Sequence, residues 1–114
     1  MKIRKFHLYL ADLSPRMGTE AGKIRPVIVI QTNMLNNINH PSTIICPLTT
    51  RILKEANLLR VYLDQKISNI KKDSDILIDQ IRSIDNRRFI KHLGEISEKQ
   101  KKLLLENLEI LIQQ

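Results

Sequence analysis

Short apolar runs rich in β-branched residues, separated by turn residues, occupy the first two-thirds of the chain. The run at 26–31 is too short and too branched at Cβ to favour a helix. Near the N-terminus, Phe6, Leu8 and Leu10 alternate with other residues, which is the period of a half-buried strand. Short strands at this close spacing favour a small SH3-like antiparallel barrel, closed or partly open. Further strands are predicted at 43–48, 59–64, 75–79, 80–84 and 88–90.

The C-terminal segment has a different period. Ser97 and Gln100 have the spacing of a capping box, in which the serine oxygen accepts an N–H and the glutamine side chain reaches back. The sequence therefore predicts a C-terminal amphipathic helix on a mostly β (α+β) fold, in a single domain over residues 1–114. Apolar residues recur at helical spacing along this helix at Leu104, Leu105, Leu108, Leu111 and Ile112.

The charge balance limits the classes of partner. The 114 residues include 19 Lys and Arg against 12 Asp and Glu, which gives a formal net charge of +7. Such a surplus attracts polyanions and argues against an acidic or DNA-mimic role, with solubility alone as the alternative explanation. No stretch has the pattern of a signal peptide or a membrane span, so we expect a cytoplasmic protein with no membrane partner.

The sequence lacks the usual motifs for metal, nucleotide and covalent chemistry. Its three histidines and single cysteine stand at no ligand spacing, so we expect no metal and no cofactor. Cys46 lies in an apolar run and is predicted to be buried. No phosphate-binding glycine motif and no nucleophile elbow occur.

Metal-independent cleavage of RNA remains compatible with these residues. The ribose 2′-OH supplies the nucleophile, so the protein needs only to move protons and to stabilise the charge on the phosphorane. Arg25 suits the second task, because its planar guanidinium matches two phosphate oxygens. It lies between a glycine-bearing loop at 14–23 and the strand that begins at Pro26. An ordinary arginine at a strand end is the alternative interpretation.

Several segments resemble the MazF/PemK family of toxin endoribonucleases. The resemblance begins with the runs at 9–15 and 18–31, the second of which contains G-T-E-A-G-K-I-R-P. It continues in register with I-I-C-P-L-T-T at 44–50 and K-D-S at 72–74, followed by D-Q-I-R-S-I-D-N-R-R at 79–88. The likeness covers nearly the whole chain.

The resemblance implies a toxin of a type II toxin–antitoxin system. Such a protein is a homodimeric SH3-like barrel that cuts single-stranded RNA, including mRNA, at a short sequence. A cognate MazE-like antitoxin silences it, and the positive charge predicts that this partner presents an acidic segment.

The resemblance also implies that Arg25 and Thr49 are catalytic. The family picture gives the arginine both proton transfer and charge stabilisation, and its pKa above about 12 favours the second role. Thr49 would donate a hydrogen bond to a phosphate oxygen. A strand-end residue that caps the following turn is the alternative interpretation of Thr49.

Two carboxylates are candidates for the general base, Asp79 and Glu20. The family branch that uses the aspartate has an arginine two residues earlier, where this chain has Leu77, and a histidine in the first loop, which this chain lacks. By resemblance, the positions that face the RNA bases are Thr19, Ser74, Asp79 and Gln80. Arg82, with Arg87 and Arg88, either follows the phosphates or forms a solvated basic face.

A different class of function is the alternative. A barrel of this fold also serves as a non-catalytic binding module or as a toxin that acts on a protein target such as gyrase, because fold does not fix function. A protein of that kind would not need the pair Arg25 and Thr49.

Overall fold

The computed structural model describes residues 1–15, 17–53, 55 and 58–113 of the chain. Three α-helices are described, α1 (Asn33–Asn36), α2 (Gln65–Ser68) and α3 (Glu98–Gln113). Two 3₁₀ turns lie at Ile78–Gln80 and Asn86–Arg88. The strands are β1 (His7–Asp12), β2 (Ile24–Val29), β3 (Ser42–Thr49), β4 (Arg60–Leu63), β5 (Ser74–Leu77), β6 (Arg82–Asp85) and β7 (Phe89–Glu95).

The seven strands form one antiparallel sheet in the order β4-β5-β3-β2-β1-β7, and β6 also pairs with β3. The long strand β3 pairs with β6 through its first half, Ser42 being opposite Asp85, and with β5 at its end, Thr49 being opposite Asp75. The 3₁₀ turn Ile78–Gln80 separates these two partners. Within the described residues, no pairing joins β4 to β7. The predicted mostly β fold with a C-terminal helix is confirmed, and the sheet is open rather than a closed barrel.

Both faces of the central strands are buried. In β2, Ile28 belongs to one apolar cluster, whereas Val27 and Val29 belong to a second cluster on the opposite face. This double burial explains why residues 26–30 are continuously apolar. The prediction of a half-buried first strand was wrong for the same reason, because Leu8 and Tyr9, which point to opposite faces, both have no exposed surface. Cys46 is buried in the first cluster, as predicted.

Helix α3 covers the first cluster and begins with the predicted capping box. The Gln100 N–H donates to Ser97 Oγ at 3.3 Å, and the Ser97 N–H donates to Gln100 Oε1 at 2.9 Å. Leu104 is fully buried, and Leu108 and Leu111 pack against the cluster. Leu105 and Ile112 are exposed. No helix in the described part of the chain combines the length and the apolar character that crossing a membrane requires.

Candidate active site

Arg25 lies in β2, directly after the β1–β2 loop (residues 13–23). The antiparallel register pairs Val27 with Pro47, and continuing it by two residues places Arg25 opposite Thr49 at the end of β3. The half-buried Arg25 side chain donates from Nη1 to the Leu48 carbonyl oxygen at 3.1 Å. Its Nε donates to the Gly22 carbonyl oxygen at 2.8 Å. These two bonds hold the guanidinium between the loop and the end of β3.

Thr49 is half-buried at the last position of β3. Its Oγ1 accepts a hydrogen bond from the Arg51 N–H at 3.2 Å, so the turn-capping role considered from the sequence is observed. A hydroxyl that accepts one bond still carries its own hydrogen as a donor. The cap therefore fixes the side chain and leaves its O–H available for a phosphate oxygen.

The β1–β2 loop is fastened to the sheet by Gln80. The Ala21 N–H donates to Gln80 Oε1 at 2.7 Å, and Gln80 Nε2 donates to the Thr19 carbonyl oxygen at 3.1 Å. At the base of the loop, the Leu13 N–H donates to the Lys23 carbonyl oxygen at 2.9 Å. Gln80 thus reaches the loop at residues neighbouring Gly22, which accepts the bond from Arg25.

The two candidate bases lie on either side of this fastening. Glu20 and Asp79 are both exposed, and each directly precedes a residue of the hydrogen bond between Ala21 and Gln80. Burial, with a smaller contribution from the Asp79 carboxylate, raises the pKa of Cys46 to about 12. The thiol is therefore protonated near neutral pH, which rules out Cys46 as a ready nucleophile.

The remaining predicted RNA contacts fall into different environments. Thr19 is exposed in the loop, whereas Ser74 is buried and its hydroxyl donates to the Lys72 carbonyl oxygen at 3.0 Å. Arg82 is half-buried, and its Nη1 is buried without a hydrogen-bond partner among the described residues. Arg25 and Gln80 both bond to the β1–β2 loop, and the continued register places Thr49 opposite Arg25. The exposed Thr19 and Glu20 lie in the same loop, and Asp79 directly precedes Gln80.

The other two arginines of this segment are engaged within the chain. Arg87 donates from Nε and Nη2 to the two carboxylate oxygens of Asp85, both at 3.0 Å. This side-chain pair lowers the pKa of Asp85 to about 2. Arg88 Nη1 donates to the carbonyl oxygens of Asp12 and Ser14, where the chain enters the β1–β2 loop. Arg88 therefore braces the loop.

Sequence reasoning missed Asp75 and Arg60, which form an ion pair near the end of β3. Asp75 lies opposite Thr49 in β5, and only 3% of its surface is exposed. Its Oδ2 accepts from Arg60 Nη1 at 3.1 Å. A carboxylate inside the apolar run at 75–79 was the signal that could have identified it, since charges are seldom buried without a partner.

Two of the three histidines contact each other, and His40 bonds to Ser42 in another part of the fold. His7 Nδ1 and His92 Nε2 lie 2.8 Å apart across β1 and β7. Burial lowers the pKa of His7 and the neighbouring Glu95 carboxylate opposes this. No group of three or more His, Cys, Asp or Glu side chains that could hold a metal ion occurs among residues 1–15, 17–53, 55 and 58–113.

Known structures share this fold. MazF from Deinococcus radiodurans aligns with a TM-score of 0.83 and 23% identity, covering 100% of this chain and 99% of that chain. A MazE–MazF structure from the same organism gives 0.77 and 24%, with 99% and 97% coverage. An endoribonuclease in complex with its cognate antitoxin from Mycobacterial species gives 0.74 and 14%, with 98% and 94% coverage.

The family itself is shown by the sequence. The family model described as PemK-like, MazF-like toxin of type II toxin–antitoxin system matches residues 4–112. That match includes β1 to β7, the β1–β2 loop and nearly all of α3, and with them Arg25, Thr49 and Gln80. With the fold in agreement, the chain belongs to the MazF/PemK toxins of type II toxin–antitoxin systems.

Proposed function

We propose that this toxin is an endoribonuclease that cuts single-stranded RNA at a short sequence without a metal ion. The observation that carries the proposal is the placement of Arg25, whose Nε and Nη1 bonds hold a permanent positive charge beside Thr49. A fixed cation and a hydroxyl donor are what a pentacoordinate phosphate needs for charge stabilisation. Such a pair has no evident use in a toxin that acts by binding a protein such as gyrase.

In the proposed reaction the ribose 2′-OH attacks the adjacent phosphorus, and the bond from phosphorus to the 5′-oxygen breaks. The products are a 2′,3′-cyclic phosphate and a 5′-OH. Arg25 stabilises the added negative charge on the phosphorane, and the Thr49 hydroxyl donates to one of its non-bridging oxygens. An always-charged guanidinium is a poor proton acceptor at neutral pH, so Arg25 is not the base.

The 2′-OH proton goes to a carboxylate, either Asp79 or Glu20, in this proposal. Both are exposed and border the hydrogen bond between Ala21 and Gln80. Glu20 lies on the loop from which Gly22 contacts Arg25, and Asp79 lies in the 3₁₀ turn Ile78–Gln80. A general base must come within hydrogen-bond reach of the proton that it takes, and substrate binding commonly supplies the final approach. The departing 5′-oxygen takes a proton from water, and the hydroxide left behind takes the proton from the carboxyl group, which regenerates the carboxylate.

RNA recognition is assigned to polar contacts around the loop. Thr19 and Asp79 are exposed and can hydrogen-bond to base edges, and Arg82 adds positive charge. Both ends of the Gln80 side-chain amide are hydrogen-bonded to the loop. Gln80 can therefore contact RNA bases directly only when these bonds break. Ser74, with its buried and bonded hydroxyl, contributes through the backbone turn at 72–74.

The proposed partners are a second copy of the chain and an antitoxin with an acidic segment. Similar solved structures include a MazE–MazF complex and an endoribonuclease bound to its cognate antitoxin. A net charge of +7 favours an acidic inhibitor that competes with RNA for the same face. Because mRNA is the proposed target, we propose that the toxin acts in the cytoplasm.

The test is cleavage of a diverse pool of single-stranded RNAs by the purified protein with EDTA present. The expected products carry 2′,3′-cyclic phosphate and 5′-OH ends, and sequencing of the 5′ ends gives the recognition sequence. A matched substrate with a 2′-deoxy sugar at the cut site should remain intact. No cleavage of any RNA in the pool, or equal cleavage of the 2′-deoxy substrate, would contradict the proposal.

A further inference from the structure

A buried ion pair holds the chain segment that follows Thr49. The side chain of Asp75 is 4% exposed and that of Arg60 is 21% exposed, and their charged atoms Oδ2 and Nη1 lie 3.1 Å apart. The same Arg60 Nη1 donates to the Arg51 carbonyl oxygen at 2.9 Å. The same Asp75 Oδ2 accepts from the Leu53 N–H at 3.2 Å. Residues 51 and 53 are thus held by hydrogen bonds to side chains of β4 and β5.

This pair is connected to Thr49 in two ways. Asp75 is the cross-strand neighbour of Thr49, since the β3–β5 register places them opposite each other. The Arg51 N–H donates to Thr49 Oγ1, and the carbonyl of the same residue accepts from Arg60. Because a hydroxyl rotates among three staggered positions, a fixed Arg51 N–H selects the rotamer that Thr49 adopts.

Stability alone does not explain a buried pair of this kind. Removing two charges from water is costly, and apolar residues of similar volume usually serve stability as well or better. In some proteins a buried pair instead fixes the arrangement of the groups that it bonds. Here those groups are the Arg51 carbonyl and the Leu53 N–H, in the segment that follows the proposed catalytic hydroxyl of Thr49.

We propose that Asp75 and Arg60 are positioning residues that set the orientation of the Thr49 hydroxyl in the cleavage reaction. This inference rests on the proposed endoribonuclease function. Neither side chain touches the substrate, and both act through Arg51 and the turn after β3. They lie outside the segments that resemble the family's motifs at 44–50, 72–74 and 79–88.

The test is a double-mutant cycle that combines Asp75→Asn with Thr49→Val, measured as single-turnover RNA cleavage at saturating protein. The asparagine keeps the shape of Asp75 and removes its charge, and the valine removes only the hydroxyl of Thr49. In the wild-type background, Asp75→Asn should slow cleavage by about 10- to 100-fold, the scale of a misplaced catalytic group. In the Thr49→Val background it should slow cleavage by less than about twofold, because residues that act through one another are not additive.

Arg60→Gln gives the second cycle, and it decides the question if Asp75→Asn does not fold. RNA affinity, measured with a 2′-deoxy substrate, should stay within about threefold of wild type in both variants, because only the transition state is affected. Glu95→Gln is the matched control, because it also removes a carboxylate from a lysine or arginine pair, here with Lys101 at 2.7 Å. This control should cleave at the wild-type rate.

Two results would overturn the inference. One is an equal loss of rate from Asp75→Asn in both backgrounds, which would show that the ion pair acts independently of the Thr49 hydroxyl. The other is a wild-type rate in both Asp75→Asn and Arg60→Gln. Failure of the proposed function would look different. In that case the wild-type protein would cleave no RNA at all, or Arg25→Ala would cleave RNA as the wild type does.

Discussion

Gln80 uses both ends of its side-chain amide to hold the β1–β2 loop. It accepts from the Ala21 N–H at 2.7 Å and donates to the Thr19 carbonyl oxygen at 3.1 Å. Since Gly22 of the same loop accepts from Arg25 Nε, the loop, the arginine and Gln80 form one connected set. A substitution at Gln80 should therefore alter the position of Arg25 through the loop.

Gln80→Ala should loosen this loop. Two lost hydrogen bonds are worth about 1–3 kcal/mol together, so the Ala21 amide should exchange with solvent about 10- to 100-fold faster, measured by hydrogen exchange and mass spectrometry or NMR. Gln80→Glu is the matched control, because it keeps the acceptor for Ala21 and loses only the donor to Thr19. Unchanged Ala21 exchange in Gln80→Ala would show that the loop is held by other contacts.

The partly buried His7 side chain predicts a dependence of stability on pH. Burial lowers the pKa of His7 below its ordinary value of 6.5, and the Glu95 carboxylate opposes this while His92, Arg4 and Lys101 reinforce it. As the pH falls, His7 therefore binds a proton in the unfolded chain at a higher pH than in the folded chain. Stability is fully present above the ordinary pKa and is lost as the pH falls through it towards the lower folded value.

Melting temperatures at about pH 7.5 and about pH 5.5 measure this effect, since the two values lie on either side of the ordinary histidine pKa. We expect the wild type to lose more on acidification than His7→Gln. His40→Gln serves as the control, because His40 bonds to Ser42 in another part of the fold. A larger loss on acidification in His7→Gln than in the wild type would reverse the sign and contradict this interpretation.

At the scale of elements, the N-terminus of α3 is closed by Ser97 and Gln100, which bond to each other's backbone N–H. Ser97→Ala should lower the free energy of unfolding by about 1 kcal/mol, measured by urea titration. Ser97→Asp should retain most of the stability, because aspartate is also a strong N-cap. Ser83→Ala, at an exposed serine in β6, should change it by less than about 0.5 kcal/mol. Equal effects of the two alanine changes would mean that the cap contributes nothing.

The elements that the sequence predicted well are those with local signals. The run at 26–31 became β2 (Ile24–Val29), the run at 43–48 became β3 (Ser42–Thr49), and the capping box placed the start of α3. Strand order, the open sheet and the double-sided burial of β1 depend on contacts between distant residues. Composition and periodicity carry no information about those contacts.

The same division applies to the candidate site. Arg25 was identified from the chemistry of its side chain and Thr49 from the family resemblance, and the continued β2–β3 register places them opposite each other. The Gln80 fastening joins residues 59 and 61 positions apart, and the Asp75–Arg60 pair joins residues 15 positions apart. Only the folded sheet makes these pairs neighbours, so single-sequence reasoning could identify their members at most as unusual residues. The roles of the site residues and the single domain over 1–114 stay predictions.

At the scale of the whole molecule, the net charge of +7 should make RNA binding depend on salt. Each phosphate neutralised on a single strand releases counterions and contributes about −0.7 to the slope of log K against log salt concentration. A site that engages about three to five phosphates should therefore give a slope of about −2 to −3.5. Fluorescence anisotropy with an uncleavable 2′-deoxy oligonucleotide, titrated at several salt concentrations, measures it. A slope near zero would show that the charge serves solubility and not RNA binding.

Binding of an acidic antitoxin segment should weaken with salt in the same way, and the segment should displace the oligonucleotide. Both ligands are then expected to meet the same positive face, so binding of one should exclude the other. Simultaneous binding of RNA and antitoxin segment would contradict a shared face.

The role of Arg25 is the central claim, and a single-turnover comparison of wild type with Arg25→Ala on one RNA substrate in EDTA tests it most directly. We predict that the alanine variant cleaves at least about 100-fold more slowly, the scale of removing one donor to a developing charge. Unfolding in urea should show that the variant is folded under the conditions of the assay. Cleavage by folded Arg25→Ala at the wild-type rate would contradict the account.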